Sequence, residues 1–117
     1  MDKVGGLGST SEINDMNSLT TSELMDLIFE RPAMYLGTAS VIKMQSFVEG
    51  FAFAFVNNEE RKRDPLYDGF GQWVIVQRKT GQYPWSAIAM LIGGSEARAF
   101  EVAKELWIEY KHQNKPD

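Results

Sequence analysis

Cysteine is absent from the chain and histidine occurs once, at His112. The first absence excludes disulfides, thiolate catalysis and thiolate metal sites. The second excludes a histidine dyad and a multi-histidine metal centre. Long apolar runs are also missing. The best candidate, Ser46 to Val56, is broken by Glu49 and falls short of the roughly 20 residues a membrane-spanning helix needs. The opening Met1-Asp2-Lys3-Val4-Gly5-Gly6 lacks the basic and then apolar regions of a signal peptide. The cytoplasm is therefore the expected compartment. Positive charge is in short supply, with 12 Lys and Arg against 16 Asp and Glu and a net charge of −4. A nucleic-acid binder normally carries a basic footprint, so nucleic acid is not the expected partner. An acidic surface suits a basic protein partner instead.

What is present is enough apolar material for one packed domain. Apolar residues make up 44% of 117, above the range of disordered chains. Residues 1–17 are rich in Gly, Ser, Thr and Asn with sparse apolar anchors, and read as a flexible N-terminal tail. Thr20 then has the position of a helix N-cap, with Glu23 three residues on completing a capping box and Leu19 and Leu24 forming a hydrophobic staple. Leu24, Leu27 and Ile28 share a face. Pro32 denies its predecessor Arg31 the helical region, so the helix ends there. Met34, Tyr35 and Leu36 are expected to fold back on the core, and Gly37 to turn the chain with a positive φ.

A second helix is predicted over about Ser40 to Val56, from the three-four spacing of Val41, Met44, Phe47, Val48, Phe51 and Phe55. Gly50 inside it suggests a close approach of another helix. Asn57 to Asp64 reads as a polar loop. Leu66 to Lys79 is ambiguous in pattern: Phe70, Trp73, Val74 and Gln77 suit a helical face, whereas Trp73-Val74-Ile75-Val76 suits a buried strand. Helix is favoured because the chain offers no partner strand. Pro84 fits the first turn of a short helix, with Trp85, Ile88, Ala89 and Ile92 packing inward, and Gly93-Gly94 ends it. The last helix starts at the N-cap Ser95, with Glu96 suiting its positive end. Its stripe is Ala99, Phe100, Ala103, Leu106, Trp107 and Tyr110. The expected fold is all-α: one compact domain of about five helices over 18–113, with a frayed end at 114–117.

No residue pattern points to catalysis, a cofactor or a metal. There is no Gly-x-x-x-x-Gly-Lys phosphate loop, and neither Gly5-Gly6-Leu7-Gly8 nor Gly69-Phe70-Gly71 follows a clear strand. The carboxylate pairs Glu59/Glu60 and Glu101/Glu105 lack the histidines of a di-metal bundle site and read as solvated faces. Trp73, Trp85, Trp107 and Tyr110 are not interleaved with a basic stripe and read as core. Arg61-Lys62-Arg63 is flanked by acids and makes a poor phosphate site.

The run Arg31-Pro32-Ala33-Met34-Tyr35-Leu36-Gly37 is similar to two known signatures. The ATP-binding domain of type II topoisomerases carries Arg-Pro-Gly-Met-Tyr-Ile-Gly. That likeness covers about seven residues. The Asp-x-Gly-x-Gly loop of that family is not reproduced by Asp68-Gly69-Phe70-Gly71, and the chain is too short for that α/β domain. The other signature, Arg-Pro-x-Met-Tyr-Leu-Gly, belongs to small bacterial immunity proteins encoded beside toxins of polymorphic or contact-dependent growth inhibition systems. Here the resemblance extends over Leu24 to Tyr110. It includes the Phe-x-x-Gly-Phe of Phe47 to Phe51, the Phe-x-x-Trp of Phe70 to Trp73, the lone Trp85 and the final helix from Glu96 to Tyr110.

The resemblance implies a helical domain that binds and blocks a cognate toxin, with no enzymatic activity of its own. A nuclease toxin has a basic surface, and acidic residues would complement it. The expected contact residues are Glu59, Glu60, Asp64 and Asp68, with Tyr67 and Tyr83 as aromatic anchors. The alternative is a small helical regulatory or structural module acting as a homodimer, in which surplus aromatics form the dimer interface.

Overall fold

The computed structural model describes residues 19–54 and 64–114. Among them are six helices and no strand: α1 Thr21–Glu30, α2 Pro32–Leu36, α3 Val41–Phe53, α4 Pro65–Arg78, α5 Trp85–Gly93 and α6 Glu96–Gln113. The all-α expectation holds, and the sixth helix is the single turn α2. The expected tail at 1–17, the stretch 55–63 and the end at 115–117 lie outside the described residues.

Local chemistry sets the helix ends. Thr20 Oγ1 accepts from the Glu23 amide at 3.0 Å, and the Glu23 carboxylate accepts from the Thr20 amide at 2.9 Å. The predicted capping box is therefore formed. Arg31 leaves the helical region at φ −137° and ψ 66°, as the following proline requires. Pro32 then opens α2, because its missing N–H costs nothing at a first helical position. Gly37 closes that turn at φ 80°. Tyr35 and Leu36 pack against the core as expected, whereas Met34 faces solvent. Ser40 caps α3 through its hydroxyl on the Lys43 amide.

The segment with two competing patterns is helix α4. Phe70 and Val74 are fully buried, and they lie four residues apart on one helical face. That burial outweighs the modest strand preference of Val74-Ile75-Val76. Gln77, expected on the same face, is exposed.

Helix α5 begins at Trp85 with Pro84 as its N-cap, one residue later than expected. Ile88 and Ala89 are buried, but Ile92 is not. Gly94 turns the chain at φ 82° into α6, whose N-cap Ser95 accepts from the Arg98 amide. Helices α5 and α6 are the most extensively paired elements. A Cβ added at Gly93 would stand 2.6 Å from the Ala99 amide nitrogen and 2.8 Å from its Cα. Hydrogen at that position is what lets the hairpin close.

The core is centred on Phe70. Its ring lies 5.0 Å from Trp107 at an interplanar angle of 84°, 5.4 Å from Tyr110 and 5.5 Å from Trp85. Such tilted and edge-on contacts put positive ring edges against negative faces. Phe29 of α1 meets Phe100 of α6 edge-on at 5.3 Å. The three tryptophans thus serve packing. No described helix closes on Gly50: a Cβ there meets no described atom within 4 Å.

Candidate functional site

The residues expected to contact a partner fall into three groups. Glu59 and Glu60 lie outside the described residues. Asp64 and Tyr67 are engaged inside the chain. Asp68 and Tyr83 are exposed.

Asp64 is the N-cap of α4. Its Oδ1 accepts from the amides of Leu66 at 3.0 Å and Tyr67 at 3.4 Å, and its Oδ2 accepts from the Ser22 amide at 2.7 Å. One carboxylate thereby satisfies orphan donors at the starts of both α1 and α4. Its negative charge also suits two positive helix ends. The Asp64-Pro65 pair carried this signal in the sequence, since a capping side chain followed by proline is a helix start.

Tyr67 is only 7% exposed. Its hydroxyl donates to the Glu49 carboxylate of α3. Burial pushes its ionisation well above the usual tyrosine value, and donation to Glu49 pushes it further. The buried Trp85 indole N–H opposes this rise, and among the described residues it meets no partner at hydrogen-bond geometry. Tyr67 is therefore a buried strut between α3 and α4 and presents little surface. Asp68, one residue on, is exposed and raises the ionisation of both Tyr67 and Tyr110. Tyr83 stands before α5, about half exposed, with its ring against Gly81.

Other polar side chains tie α6 to its neighbours. Asp26 Oδ1 accepts from the Trp107 indole at 2.8 Å and from Lys111 at 2.6 Å. The Tyr110 hydroxyl donates to the Leu66 carbonyl, and Trp73 donates to Gln113 at 3.1 Å. A Cβ at Gly69 would lie 2.8 Å from the Tyr110 hydroxyl, so this glycine makes room for the contact. Gln45 accepts from the Ser86 amide at 3.0 Å and joins α3 to α5.

His112 is exposed in the last turn of α6. Among the described residues no group of three or more His, Cys, Asp or Glu is placed to hold a metal ion. None of their helices is long and apolar enough to cross a membrane.

Two surface features were missed by sequence reasoning. A depression on the outer side of α6 is lined by Ala97, Arg98, Glu101, Val102 and Glu105. The end of α5 beside it in sequence leaves Leu91 72% and Ile92 47% exposed. The signal for the second was available: α5 carries no charged residue on any side, more than the inward face of so short a helix can bury.

No protein-family model, curated protein or solved structure matches the chain.

Proposed function

We propose that the chain is an immunity protein that binds a cognate bacterial toxin domain, a nuclease with a basic surface, and occludes its active site. The observation that carries this reading is the resemblance extending over Leu24 to Tyr110. The residues quoted for it are mostly scaffold. Phe70, Trp85, Trp107 and Tyr110 make the aromatic centre, and Gly37 closes the turn after Leu36. A scaffold fixed from within leaves helix faces and loops to choose the partner.

Inhibition by occlusion asks no chemistry of the inhibitor. It asks for a rigid surface of the right shape and charge. The net charge of −4 favours encounter with a basic surface, and the gain in association rate shrinks as salt rises. The reaction of the toxin is blocked when its nucleic-acid groove is filled.

The test is co-expression of the toxin domain encoded immediately upstream, with and without this chain. Restored survival together with a co-purifying complex is the expected result. Equal killing in both arms, with no complex, would remove the reading.

A further inference from the structure

Helix α5 reads Trp-Ser-Ala-Ile-Ala-Met-Leu-Ile-Gly and has no charged residue. A helix that is apolar on every side is normally enclosed. This one buries Trp85, Ile88 and Ala89 but leaves Leu91 and Ile92 open to water. On α6, its hairpin partner, Glu101, Glu105 and Glu109 recur every fourth residue, and all three are exposed. Like charges at this spacing repel. Among the described residues no ion pair reaches Glu101 or Glu105. The flanking cations are Arg98, three residues before Glu101, and the half-buried Lys104, three residues after it.

From this we infer that the outer face of the α5–α6 hairpin is the docking surface for a basic protein partner. Leu91 and Ile92 receive an apolar anchor at the end of α5, and the three glutamates meet lysines or arginines along α6. The inference rests on the immunity reading and names the surface of that same binding event. It moves the contact from the expected Glu59 to Asp68 region to the last two helices. Charge decides between occupants. A second copy would set three carboxylates and two flanking cations against the same set, which leaves like net charge facing like across a two-fold interface. A basic partner removes the repulsion within the row as well as covering the apolar end of α5.

The experiment uses the full chain and the purified toxin domain encoded immediately upstream, with binding followed in real time at low and high salt. Leu91→Ser/Ile92→Ser should weaken Kd by about 100-fold, mainly through faster dissociation. Glu101→Lys/Glu105→Lys/Glu109→Lys should weaken it at least about 30-fold, slow association and flatten its salt dependence. Glu59→Lys/Glu60→Lys should change Kd by less than about 3-fold, as a site outside the contact does. All the altered side chains of the hairpin are exposed, so circular dichroism and Tm should match the wild type. Wild-type binding with unchanged affinity in both hairpin variants would overturn this inference and leave the immunity reading standing. No binding by the wild-type chain would overturn both. A wild-type dimer that Leu91→Ser/Ile92→Ser dissociates would assign the face to a second copy and overturn the inference.

Discussion

Replacing Gly93 by alanine tests the packing of the α5–α6 hairpin with a single methyl group. The added Cβ would lie 2.6 Å from the Ala99 amide nitrogen and 2.8 Å from both the Ala99 Cα and the Arg98 carbonyl carbon. Non-bonded heavy atoms are comfortable at about 3.5 Å or more, so the methyl group intrudes by close to 1 Å. All three atoms it meets are backbone, and none can rotate away. The two helices must separate, and the separation reaches the buried residues Ile88, Ala89, Ala99 and Ala103. Overpacking of this kind costs about 1–3 kcal/mol. A clash confined to backbone belongs at the upper end, near 3 kcal/mol. Alanine recovers at most about 1 kcal/mol of helix propensity, which leaves a net loss of about 2 kcal/mol or more. For a domain of this size each kcal/mol lowers Tm by about 4–8 °C, so Tm should fall by about 8 °C or more.

The control is Gly50→Ala, at an exposed helical position where a Cβ meets no described atom within 4 Å. There the same substitution should stabilise by up to about 1 kcal/mol. Urea unfolding followed by circular dichroism, with tryptophan fluorescence as a second probe, measures both. Opposite signs are expected. Equal stability of Gly93→Ala and wild type, within about 0.5 kcal/mol, would refute the close approach on which the hairpin argument stands.

Other substitutions probe the connections between helices. Asp64→Ala should cost about 2 kcal/mol, because it strips acceptors from the starts of two helices at once. Denaturant titration of this variant checks it, and a loss under 0.5 kcal/mol would show that the cap is not structural. Asp26→Ala should cost more than Lys111→Ala. The first strands a buried indole N–H, worth about 1–3 kcal/mol, whereas the second removes a partly exposed ion pair worth about 0–1 kcal/mol; equal losses would contradict this ranking. Tyr67 and Tyr110 both ionise above the usual tyrosine value, chiefly through burial. A raised folded value means that their contribution is complete below about pH 10 and is lost as pH climbs beyond it. Stability should therefore fall in alkali, and Tyr67→Phe/Tyr110→Phe should flatten that fall; a double variant with the wild-type alkaline profile would refute the assignment.

Much of the helical pattern was legible because its causes are local. The Thr20 and Glu23 box, the break at Arg31 before Pro32, and the Ser95 cap each involve residues within one turn. The aromatic stripe of α6 was legible by period. What stayed hidden depends on partners far along the chain. Asp26 meets Trp107 and Lys111, more than 80 residues away. Gly69 is explained only by the arrival of Tyr110, 41 residues on. Gly50 looked like a crossing point, and the real close approach is at Gly93. The expected contact residues were chosen by loop position and charge. That criterion does not separate a capping acid such as Asp64, or a buried donor such as Tyr67, from a surface group. The exposed end of α5 was misread because Ile92 continues the inward spacing of Trp85, Ile88 and Ala89, but lies where the helix turns away towards Gly94.

We propose that this chain silences a toxin by covering it. The most direct measurement titrates the purified upstream toxin domain with the full chain and follows cleavage of a nucleic-acid substrate. Loss of activity that is complete at one equivalent and insensitive to substrate sequence is the expected result. Undiminished cleavage at a large molar excess of this chain would contradict it.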